Sequence, residues 1–341
     1  MLFLACQGPK NAASNKNNPL PIGQIVLQTP SNIWAIFQDS KGNYWFGSNG
    51  GGLYYYDRDV LVQITTKDGL IDQTIRGIQE GHLGNIFIET PKGISKFDGK
   101  SFEALNPIIA SEDQWKLMAN DLWFNCNGNA NDVYRYDGNK LYQLRLPRKD
   151  LETTLGINAV HQRYSPYTVF GIDKDISGNI WFGTVIAGAF RYDGTSFLWV
   201  GEKELSRLKD GREPGVRSML EDKNGYLWLS NFKSKYKIEP EGATPYEKLP
   251  AIDQANELLK DRIPYFNSGL RDKDGNIWMT TFGGSLWKYD GETLYNYPLQ
   301  EGTIDAELIS IFEDQQGMIW LGTNNMGVYR FDGKAFEQFE H

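Results

Sequence analysis

Few residues in this 341-residue chain carry obvious chemistry. There are three histidines, His82, His161 and His341, and two cysteines, Cys6 and Cys126. Their spacing fits no metal site, nucleophile elbow, phosphate loop or metalloprotease signature. His161 stands in a cation-rich stretch, Arg145 to Pro166, with Arg145, Arg148, Lys149, Arg163 and Tyr164. A second such stretch, Glu202 to Pro214, holds Lys203, Arg207, Lys209 and Arg212. Cations gathered this way suit an anionic ligand such as an acidic glycan, and equally suit ordinary loop charge. Asp173 is the one acid out of place, because related positions carry Phe37, Leu220, Leu270 and Phe312. It suits a catalytic carboxyl or a calcium ligand, but a polar group bonded to a neighbouring element is the preferred reading. No cofactor is expected, a structural calcium ion aside. Two cysteines give no disulfide framework, and Cys126 reads as a small buried hydrophobe.

The elements that position these residues form a repeat. The stretch Asp175 to Gly194 reads as a tight Gly turn, a short apolar strand around Trp181, a loop, and an alternating strand ending in Asp193-Gly194. It recurs seven times, anchored on Trp45, Phe87, Trp123, Trp181, Trp228, Trp278 and Trp320. In six copies the residue twelve before the anchor is apolar (Ile33, Ile75, Val169, Val216, Phe266, Leu308) and the residue ten before it is small. A further strand precedes each Gly turn and a weaker one follows each Asp-Gly, so each copy holds four strands. The third copy departs from this: its first strand, within Asp113–Ala119, is shortened and lacks the Gly turn.

Four-stranded amphipathic sheets bury both faces when they stack, and a ring of them leaves no exposed ends. The expected fold is all-β: a seven-bladed β-propeller with four-stranded antiparallel blades, spanning residues 21–341 as a single domain. Gln24 to Gln28 reads as a strand that pairs with the outer edge of the last blade and ties the ring shut. The anchor tryptophans should fill the space between blades, and the Gly and Asp-Gly positions should make the bends and turns. Specificity is then expected where the copies differ.

The motif D-x-x-G-x-I-W-x-G-T-x-x-x-G-x-x-x-Y-D-G resembles the two-component regulator propeller repeat, most closely in the fourth, sixth and seventh copies. The resemblance implies the periplasmic sensor part of a bacterial regulator, often one that detects oligosaccharides. The last copy runs to His341, so recognition by the propeller itself is the expectation carried over here. The repeat is also distantly similar to the propeller of streptogramin lyases, which implies an alternative: a lyase-like or hydrolytic enzyme working on the same face.

Counting eleven residues back from the anchors gives Trp34, Arg76, Phe170, Arg217, Asn267 and Ile309. These should ring the mouth of the central channel, on the face that also carries the long inter-blade loops with His161, Arg163 and Tyr164. Aromatic rings, Arg and Asn suit sugars, carboxylates and peptide groups. The expected ligand is therefore an oligosaccharide or a protein. A net charge of −8 argues against a nucleic-acid surface. Residues 1–20 resemble the end of a lipoprotein signal followed by an Asn-rich tether. Lipidation of Cys6 would give the only membrane contact and a periplasmic or cell-surface location.

Overall fold

In the computed structural model, residues 18–111, 114–126, 132–157, 165–207, 211, 213–252, 265–301 and 303–340 are described. They form a seven-bladed propeller. Strands run outward from the channel in sequence order, as in blade four: Val169–Lys174, Ile180–Thr184, Ala189–Tyr192 and Phe197–Val200. The apolar core consists of seven wedges, one at each seam, and each wedge holds the anchor of one blade and residues of the next. Trp181 packs against Val216, Leu227 and Tyr236 of blade five. Trp320 packs against Ile33, Phe46 and Leu61 of blade one. A sheet flat on both faces has nowhere else to put its large side chains, and Trp181 and Trp228 are fully buried as a result.

The repeat motif also locks five of the seven anchors in place. In five blades an Asp six residues upstream accepts a hydrogen bond from the indole Nε1: Asp39–Trp45, Asp175–Trp181, Asp222–Trp228, Asp272–Trp278 and Asp314–Trp320, at 2.7–3.0 Å. The same carboxylates cap the Gly turn, as where Asp175 accepts from the backbone and side-chain nitrogens of Asn179. Blades two and three lack the lock. Phe87 has no indole, and Leu117 stands where Trp123 would find its acid. Trp123 Nε1 accordingly has no partner among the described residues.

The structure corrects two expectations. Gln24–Val26 does not pair with the last blade; it lies antiparallel outside Leu61–Ile64 of blade one. Blade seven makes its own outer strand, Phe336–Gln338, so its edge needs no donated strand. Packing and side-chain bonds close the ring instead. Tyr44 donates to Asp314 at 2.8 Å, Gln315 bonds to Gln38 and Asp39, and Phe339 lies 5.4 Å from Phe46 and 5.5 Å from Trp320.

The second correction is in blade three. No strand forms in the described part of residues 113–119, so Leu122–Phe124 is the innermost strand of that blade. The fourth strand comes from Ile108–Ile109, added in parallel on the outside of Leu141–Arg145. Trp115 explains the loss. Its ring packs 4.7–5.8 Å from Phe197, Tyr192, Trp123 and Phe182, in the wedge between blades three and four. Tyr192 donates to its carbonyl at 2.7 Å. Burying an indole among four rings holds this segment away from the channel wall.

Candidate functional site

The missing inner strand leaves a breach, and the channel widens into it. A cavity of about 420 Å³ runs from blade two to blade six, with Gln79, Glu89, Trp123, Asp173, Arg217 and Ser268 among its lining residues. Its position follows from one sequence feature. Two residues after each anchor stands Gly47, Glu89, Asn125, Gly183, Ser230, Thr280 or Gly322. The next blade's inner strand closes over this position. A Cβ at Gly183 would lie 2.2 Å from the Val216 carbonyl, and one at Gly322 would lie 2.6 Å from that of Ile33. A glutamate fits after Phe87 because no inner strand follows it.

Glu89 and Gln79 take over that strand's hydrogen bonds. Glu89 Oε1 accepts from the backbone amides of Asn125 and Cys126, at 3.2 and 2.7 Å. Gln79 Nε2 donates to the Trp123 carbonyl at 2.8 Å. The open edge of blade three is thus capped by side chains of blade two. Burial pushes the Glu89 carboxyl up to about 7, although both amides and Arg76 favour its charged form. Cys126 is buried and free, as expected, and burial pushes its thiol up as well.

Across the cavity, Asp173 Oδ2 accepts from the Met219 amide of blade five at 2.8 Å. The preferred reading of Asp173, a polar group bonded to its neighbour, therefore holds. Depth in the ring pushes its carboxyl up to about 6, offset in part by the Met219 amide. The buried Asp121–Arg135 ion pair, 2.7 Å, braces the base of blade three. No group of three or more His, Cys, Asp or Glu able to hold a metal occurs among the described residues.

Of the residues expected to ring the mouth, four come together as two cation–π pairs that bridge blades. The Arg76 guanidinium lies over the Trp34 ring at 4.3 Å, and that of Arg217 over the Phe170 ring at 4.2 Å. β-Bulges aim the two aromatics: register shifts at Ile33/Ala35 and Val169/Gly171 leave Trp34 and Phe170 as the extra residues. Trp34 Nε1 donates to Asn324 of blade seven at 2.9 Å. Burial lowers the pKa of both arginines, while Glu89 and Asp72 oppose this for Arg76 and Tyr265 for Arg217. Asn267 is drawn into the wall, where it donates to the Leu308 carbonyl at 2.6 Å and leaves its Oδ1 unpaired. His161, Arg163 and Tyr164 lie outside the described residues, as does Cys6. Sequence reasoning singled out the ring positions but not Glu89 and Gln79. The signal was present, since an acid replaces Gly in the copy before the irregular one.

Residues 28–50 and 304–325 match the two component regulator propeller. No curated protein matches the chain by sequence. Among solved structures, a streptogramin B lyase is similar at TM-score 0.62 and 15% identity, covering 90% of this chain and 96% of that one. Two extracellular domains from B. thetaiotaomicron are also similar. That of the hybrid two component system BT3049 matches at TM-score 0.60 and 18% identity, over 90% of this chain. That of the one component system BT4673 matches at TM-score 0.59 and 22% identity, over 92%. This chain spans 40% of each of those two chains.

Proposed function

From a chain that carries the two-component regulator propeller repeat, we propose a non-catalytic, extracytoplasmic sensor propeller that binds a glycan or a protein at its channel mouth. The observation that supports this most directly is the pairing of Trp34 with Arg76 and of Phe170 with Arg217, the second pair lining a cavity with several polar groups on its walls. Concave sites of this kind, with a few convergent polar groups, are where ligands bind. The similarity to extracellular domains supports the location, and lipidation at Cys6 would tether the propeller to a membrane. Glycan-array binding, repeated on a Trp34→Ala, Phe170→Ala double variant, tests the reading. Capture of ligands that the double variant retains in full would move the site elsewhere. Loss of fatty-acid labelling in Cys6→Ser tests the tether.

A second reading, an enzyme at the same face, draws on Glu89 and Asp173, two carboxyls raised to about 7 and 6 on one cavity. Turnover of a bound ligand that is abolished in Glu89→Gln or Asp173→Asn would establish it in place of simple recognition.

A further inference from the structure

We infer that the mouth takes an anionic carbohydrate, whose carboxylate or sulfate groups are received by the guanidinium edges of Arg76 and Arg217. The inference rests on the proposed binding role and narrows its ligand. Three observations carry it. First, the aromatic faces are already covered. Trp34 lies under Arg76 and Phe170 under Arg217, and the Trp34 indole N–H is spent on Asn324. A sugar therefore meets a guanidinium edge rather than a bare stacking platform on these faces.

Second, neither cation is tied down, although Glu89 and Asp72 lie near enough to Arg76 to favour its charge. Among the described residues neither arginine forms an ion pair. Arg217 donates only to the Pro214 carbonyl at 3.2 Å, and Arg76 makes no side-chain hydrogen bond, its buried Nε included. A half-buried guanidinium centred 4.2–4.3 Å from a ring, with most of its N–H groups free of protein partners, is placed to receive a planar or tetrahedral oxyanion. The ring contact restrains each side chain in advance, so less of its freedom is lost on binding.

Third, the cavity favours a carbohydrate over a peptide that binds by strand addition. In that mode an extended peptide adds a strand to an open sheet edge. The open inner edge here, Leu122–Phe124, is already capped by Gln79 and Glu89. What remains for a ligand is a wall of side-chain groups, Glu89, Asp173, Ser218 and Ser268, which suits hydroxyls.

The test is calorimetric titration of the full chain with trigalacturonate, a heparin tetrasaccharide, cellotriose and triglutamate, at low and high salt. Arg217→Gln and Arg76→Gln are compared with wild type, and their melting temperatures are recorded. Binding of an acidic sugar that weakens with salt, and about tenfold with each substitution, is the expected result. If Arg217→Gln melts early, Arg217→Lys decides: it keeps the charge but not the flat fork, and it should still lose several-fold. Cellotriose binding as tightly as the acidic sugars, with the arginine variants unaffected, overturns the charge inference and leaves glycan recognition standing. Preference for triglutamate overturns the carbohydrate. Silence with all four probes overturns this inference and the glycan reading together.

Discussion

The Glu89 carboxylate accepts a 2.7 Å hydrogen bond from the backbone amide of Cys126, across the seam between blades two and three. In six of the seven copies this position holds a small residue or Asn, and at Gly183 and Gly322 the next blade's inner strand leaves no room for a Cβ. Here a side chain substitutes for a strand, and the carboxyl is held in a poorly solvated place.

That placement sets a pH dependence. The folded carboxyl binds its proton more tightly than the unfolded one, at about 7 against 4.5. Native stability therefore falls as pH rises from about 4.5 through about 7. Glu89→Gln removes the charge and keeps a carbonyl acceptor for both amides. The variant should be about 2–3 kcal/mol more stable than wild type at pH 8 and equal to it at pH 4. Urea denaturation at the two pH values measures this. A variant no more stable at pH 8 would mean that Glu89 is better solvated than its burial implies.

The Asp–Trp lock should be costly to break. Asp175 accepts from Asn179 and from Trp181 Nε1, and it faces Arg191 at 3.4 Å. Asp175→Ala strands those donors and should cost about 2–4 kcal/mol. Leu117→Asp offers Trp123 an acid, but in a seam that already holds the Asp121–Arg135 pair. Chemical denaturation should show no comparable gain.

Close packing between blades makes a sharp glycine prediction. Gly183→Ala would push a methyl to 2.2 Å from the Val216 carbonyl and 2.7 Å from Met219 Sδ. It should destabilise by about 2–3 kcal/mol. Alanine at Gly99 meets nothing within 4 Å but must adopt φ 94°, and should cost about 1 kcal/mol. Thermal melts of the two variants rank them. The reverse order would contradict the seam geometry.

Ring closure can be tested by separate changes at the two termini. Phe339 contacts Phe46, Tyr56 and Trp320 at 5.2–5.5 Å, and Phe339→Ala should lower stability by about 2 kcal/mol. Ile25 in the added outer strand is 37% exposed, so Ile25→Ala should cost under about 0.5 kcal/mol. A larger loss from Ile25 than from Phe339 would restore the donated-strand view.

The sequence by itself determined the blade count and the anchors. These depend on local patterning: a turn, an alternating strand and an aromatic at a fixed offset recur whatever the partner. Gly183 was legible as a repeat position expected to make a bend, whereas it lies within a strand and makes room for Val216 of the next blade. The tertiary structure decided three things that pattern could not. Closure depended on which edge remained unpaired, and blade seven had already supplied its own outer strand. The breach depended on Trp115 gaining more in a four-ring wedge than its segment would gain as a strand. The mouth depended on each arginine reaching the aromatic of the preceding blade, a contact between residues more than forty positions apart. No repeat-by-repeat reading contains that distance. It exists only once the ring has closed and brought neighbouring blades into register.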